Sequence, residues 1–124
     1  MFILRSLLNL LLWLFEKPHP LKSKIIKIKK DIILLVDKEC DESFSILWYG
    51  AYNIDPKHLV YLVTVKSDDM KIRLRSNAKL NLDLRHLLTK HDYPENSRNS
   101  VIIDYESQET VDRESGGDWH LHLK

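Results

Sequence analysis

The side chains best suited to chemistry lie late in the chain. Glu106 to Asp118 reads ESQETVDRESGGD, and Asp118, His120 and His122 then follow at two-residue spacing. On an extended strand this spacing puts both imidazoles on one face. Asp118, and Asp104 or Glu106 across a strand pairing, would complete a set that can ligate zinc. A small metal-dependent hydrolase is therefore one alternative. The same alternation on an exposed edge strand discourages unwanted pairing, and the leading expectation is no metal and no cofactor. The carboxylates of the long stretch lack the spacing of an EF-hand loop and have no glycine at its central turn. Arg113 among them reads as a neutralising ion pair.

Other routes to catalysis have little to stand on. Cys40 is the single cysteine, which excludes an internal disulfide and a thiolate metal cluster and is compatible with a reducing compartment. The chain has 3 glycines, only two of them adjacent, so there is no glycine-rich phosphate loop and no nucleophile elbow. With 19 Lys and Arg against 18 Asp and Glu, the net charge of +1 makes no case for a nucleic-acid partner. Binding is thus expected before catalysis, with another protein as the partner. The expected contact surface is the acidic stretch, through Glu106, Gln108, Glu109, Asp112, Arg113 and Glu114, taken as a long solvated loop between strands. Trp48 and Tyr49 on a neighbouring sheet face extend it. The analogy is to small adaptor or immunity proteins, by size and charge alone.

The elements that must hold these residues are organised around Ser43 to Lys66. Phe44 to Tyr52 and Leu59 to Val65 are apolar on both faces and rich in aromatic and β-branched residues, as for central or doubly covered strands. Asn53, Asp55 and Pro56 form the turn between them. Gly50 marks a bulge, a close approach, or room for a packed helix. Before the hairpin, Ile25, Ile28, Ile32, Leu35 and Val36 repeat at helical spacing behind Ser23 as N-cap, with lysines on the other side. After it, Ser67-Asp68-Asp69 starts a helix that Ser76-Asn77 interrupts or recaps, and Leu80, Leu84, Leu87 and Leu88 continue to a stop at Tyr93-Pro94. Val101, Ile103 and Tyr105 then alternate inward as a third strand. Trp119, Leu121 and Leu123 do so as a fourth, after a bend at Gly116-Gly117. The expected fold is α+β in the order α-α-β-β-α(α)-β-β, a mostly antiparallel four-stranded sheet with helices on one face.

Two segments are expected: an apolar N-terminal helix and proline hinge over 1–20, and a single domain over 21–124. Met1 to Phe15 is broken only by Arg5, Ser6 and Asn9. As a helix it would be about 22 Å long, short of the ~30 Å hydrocarbon core, so a clean transmembrane span is not expected. It either lies in a membrane interface or packs on the domain or on a second copy as a homodimer. Lys22, Lys24, Lys27, Lys29 and Lys30 follow it. They read first as a solvated helix face; the sharper alternative is an anionic-lipid or phosphate-facing patch, which with an interfacial leader favours a cytoplasmic placement at the inner face of a membrane.

The order helix, strand, strand, helix, helix, strand resembles type II KH domains across the middle of the chain. The resemblance implies RNA binding, with the basic helix dominating affinity and binding falling steeply with salt. Where that family has GxxG between its helices, this chain has Arg75-Ser76-Asn77-Ala78. Tyr49, Tyr52 and Tyr61 beside Trp48 would be the stacking aromatics.

Overall fold

The computed structural model describes residues 19–124. The expectations for Met1 to Phe15 lie outside the described residues. The first described helix, α1 (Lys22–Asp37), starts one residue before Ser23, behind an uncapped Leu21. Its stripe of Ile25, Ile28, Ile32 and Val36 is fully buried, as three- and four-residue spacing requires.

The hairpin forms as expected, in a shorter register. β1 (Ser45–Tyr49) pairs antiparallel with β2 (Val60–Val65), Ile46 opposite Val63 and Trp48 opposite Tyr61. β1 ends at Tyr49 because Gly50 turns the chain at φ +104°. A Cβ on Gly50 would lie 1.9 Å from the His58 carbonyl oxygen, so the glycine serves a close backbone approach. The connection closes through a single 3-10 turn, Pro56–His58, capped by the Asp55 carboxylate.

α2 (Asp68–Arg75) and α3 (Ala78–Lys90) are two helices, as the Ser76-Asn77 break predicts. The Ser67 hydroxyl accepts from the Met70 amide at 3.1 Å, and the Asn77 side chain accepts from the Leu80 amide at 3.0 Å. A 3-10 segment, Glu95–Ser100, leads into β3 (Ile102–Ser107).

Here the expected sheet needs correction. β3 runs parallel to β2, Val63 opposite Tyr105 and Val65 opposite Ser107, so the sheet is mixed, with order β1-β2-β3. The reason is the connection: α2 and α3 carry the chain back across one face, and a helical crossover delivers the next strand parallel.

The expected fourth strand is also corrected. Asp118–Leu123 contains instead a short helix, α5 (Trp119–His122), capped by the Asp118 side chain. The stretch before it is no loop. Glu106 and Ser107 finish β3, and α4 (Gln108–Ser115) follows, closed by Gly116 at φ +61°. Ser107 caps α4 by accepting from the Thr110 amide at 3.1 Å. Thr110 and Val111 are buried, so a polar sequence folds because the few residues that face inward share one side.

The class remains α+β, and through β3 the element order is the one on which the KH resemblance rests. α1, α2 and α3 cover one face of the sheet, burying Ile46, Tyr61, Val63, Val65 and Tyr105. The Tyr61 hydroxyl donates to the Ile25 carbonyl at 2.7 Å, tying β2 to α1. The other face carries Leu47, Tyr49, Val60, Leu62 and Ile102. Leu47, Tyr49 and Ile102 remain 40%, 41% and 53% exposed.

Candidate functional site

The two parallel strands end side by side at Val65 and Ser107, and each runs directly into a helix with a serine cap. Two helix N-termini therefore lie together, each with amides that need acceptors. The chain supplies them. Glu42, from the connector before β1, accepts from the Lys66 amide at 2.7 Å and from the Ser67 amide and hydroxyl, each at 2.9 Å. Glu109 accepts from the Asp68 amide at 2.9 Å. The N-terminus of α2 is thus filled by the protein's own carboxylates. Burial pushes the Glu42 carboxyl up, but the Ser67 and Lys66 donors outweigh it and hold it below the ordinary carboxylate range.

Asp68 bridges to α4. It accepts from the Ser107 hydroxyl, from Thr110 at 2.6 Å and from Arg113 at 2.9 Å, and these bonds hold its carboxyl well below the usual range. Lys71 donates to Glu106 at 3.0 Å and to Thr110 at 2.6 Å. The other Glu106 oxygen lies 3.0 Å from His122 Nε2, and His122 Nδ1 lies 2.9 Å from the Ser115 hydroxyl. Burial raises the Glu106 carboxyl, and the bonds from His122, the Ser107 amide and Lys71 more than reverse it. This network pins α4 and α5 to the end of β3.

One product of that pinning is a groove. The Trp119 indole N–H donates to the Gln108 side chain at 2.7 Å, and Gln108 donates to Asp112 at 2.7 Å. Trp119 and Gln108 so form a wall beside Ser45, Leu47, Thr64 and Lys66, enclosing about 580 Å³ at one end of the open sheet face. Among the described residues, Lys66 is the only charged one of that lining.

Compared with models of protein families, with curated proteins and with solved structures, the chain matches none. What the site can do must come from its own geometry.

The residues expected as the contact surface are divided by the fold. Glu106, Glu109 and Arg113 are engaged in joining α4 to α2 and β3, and Asp112 is bonded to Gln108. Glu114 is exposed on the outer side of α4. Tyr49 reaches the open face, whereas Trp48 points to the helix-covered side, edge-on to Tyr52. Asp118 serves as the α5 cap. His120 and His122, two positions apart on a helix, point about 200° apart instead of sharing a strand face. Among the described residues, no group of three or more His, Cys, Asp or Glu gathers to hold a metal ion. In the turn at the GxxG position, the Asn81 side-chain amide donates to the Leu74 and Asn77 carbonyls at 3.0 and 2.8 Å, so the turn is closed on itself.

Sequence reasoning did not count Lys66, Leu47 and Ile102 in the site, although the alternation of β3 already put Ile102 outward, nor Glu42 as an anchor. A signal for the first three existed. β2 is apolar on both faces, but the amphipathic helices are enough to cover only one.

Proposed function

We propose that this domain is a protein-binding module that takes up an apolar segment of a partner protein, carrying an acidic residue, on the uncovered face of the sheet. The observation that carries the reading is the exposed apolar patch of Leu47 and Tyr49 on β1 and Ile102 on β3, on either side of Val60, with Leu47 lining the Trp119 groove. Contiguous exposed apolar surface of this kind marks interaction sites, and aromatic residues are enriched where partners dock. The acidic residue follows from charge complementarity with Lys66. The acidic stretch acts indirectly in this reading, by building the groove wall, and only the outer side of α4 around Glu114 is left as rim. Selection from a displayed random-peptide library tests it. Enriched peptides are expected to combine aromatic or aliphatic residues with Asp or Glu. Their binding should fall with Tyr49→Ser and with Lys66→Gln at nearly unchanged melting temperature. No enrichment, or binding indifferent to both substitutions, would refute the proposal.

A further inference from the structure

The outward side of α1 has a composition that water does not explain. The helix buries Ile25, Ile28, Ile32 and Val36 against the sheet and α3. At about 100° per residue, the side opposite that stripe carries Ser23, Lys27, Lys30, Leu34 and Asp37, with Ile26 and Ile33 at its border and Lys22 and Lys38 beside it. Ile26, Ile33 and Leu34 are 37%, 38% and 63% exposed. Among the described residues, Lys22, Lys27, Lys30 and Lys38 form no ion pair; the cations of this region that do are Lys24, with Asp92, and Lys90, with Asp31. The acid on the outward side is Asp37, in the last turn. Apolar side chains framed by lysines are the pattern of a helix lying in a lipid interface, where aliphatic groups enter the acyl boundary and lysine stems reach up to the headgroups.

A second observation points the same way. The described chain enters α1 at His19, which packs edge-on against Tyr52. Whatever precedes it joins the domain at the first turn of this helix, and what precedes it in sequence is the apolar run Met1 to Phe15.

We propose that the outward face of α1 lies on an anionic lipid bilayer. Because α1 covers the inner side of the sheet, the open face with Leu47 and Ile102 then points away from the bilayer. Lipid and peptide use opposite sides of the domain, so either can fail alone.

The test is flotation of the full chain with vesicles of phosphatidylcholine, alone or mixed with phosphatidylglycerol. Binding is expected to be stronger to the anionic vesicles and to weaken with added salt. Lys27→Gln with Lys30→Gln should weaken it about thirtyfold, from the contribution of each lysine near an anionic surface. A polarity-sensitive fluorophore on Leu34→Cys, in a Cys40→Ser background, should shift to the blue on vesicle addition. One on Ile102→Cys should not. Equal binding to both vesicle types, no effect of the lysine substitutions, or an unshifted probe at position 34 would overturn the proposal. Probe shifts at both positions would overturn the orientation.

Discussion

Replacing Glu106 by glutamine preserves the shape of the side chain and removes its charge, which isolates the carboxylate at the end of β3. One oxygen accepts from Lys71 at 3.0 Å and from the Ser107 amide at 2.9 Å, and the other lies 3.0 Å from His122. The side chain is 18% exposed, and those of Lys71 and His122 are each 13%. An amide can accept at only one of the two oxygen positions, so its NH2 must face either Lys71 or His122. Hydrogen bonds to charged groups are worth ~1.5–3 kcal/mol, and stranding a buried donor costs ~1–3 kcal/mol. Partial solvent access favours the lower part of that range, giving a loss of about 2 kcal/mol. In a domain of this size the melting temperature should fall by about 10 °C. Urea unfolding at neutral pH, followed by circular dichroism, measures the loss. The His122→Ala variant and the double variant complete a cycle whose coupling should be about 1 kcal/mol. The near-ultraviolet signal should diminish with it, since Trp119 is held on α4 and α5. A coupling within about 0.3 kcal/mol of zero, the usual scatter of additivity, would refute the claim that this pair pins α5 to the sheet.

Three further outcomes follow from the same geometry. Glu106, Glu42, Asp31 and Asp68 are all held below their ordinary values, so their contribution is complete above the unfolded-chain values of ~3.9–4.3 and is lost as pH falls through the folded ones. The urea midpoint should therefore hold steady from neutral pH to about 5 and drop below about 4, more shallowly in Glu106→Gln; a midpoint that rises on acidification would contradict the network. Gly50→Ala should cost about 3 kcal/mol or more, from a positive φ and a clash with the His58 carbonyl, whereas Gly116→Ala, with nothing within 4 Å, should cost about 1–2 kcal/mol. Equal urea midpoints for the two would dispose of the close-approach argument. Because the turn between α2 and α3 is closed by Asn81, any salt-sensitive retention on mixed RNA should be matched on heparin, a polyanion without bases; retention on RNA but not on heparin would favour the KH-like reading instead.

Local code was legible wherever one short window contained the whole instruction. The stripe of α1, the Ser67 and Asn77 caps, the inward alternation of Ile103 and Tyr105 and the turn at Asp55-Pro56 that closes the hairpin each depend on spacing within a few residues, and each formed. The α+β class followed from them. Trp119 to Leu123 misled for the same reason. Its alternation suits a strand, but Asp118 caps a helix there, and only the tertiary setting decides which wins.

The candidate site was the less legible part, because it is assembled from residues far apart in sequence. Glu42, Asp68, Glu106 and His122 meet only once the helical crossover has set β3 parallel to β2, bringing the ends of both strands to one side of the sheet. That placement turned an acidic stretch expected in solvent into a helix packed against α2. It also left Leu47, Tyr49 and Ile102 exposed on the opposite face. Sequence by itself determined which side chains could lie inside; which sheet face received the helices was decided by chain connectivity, since an alternating strand offers both faces and only a crossover of fixed hand chooses between them.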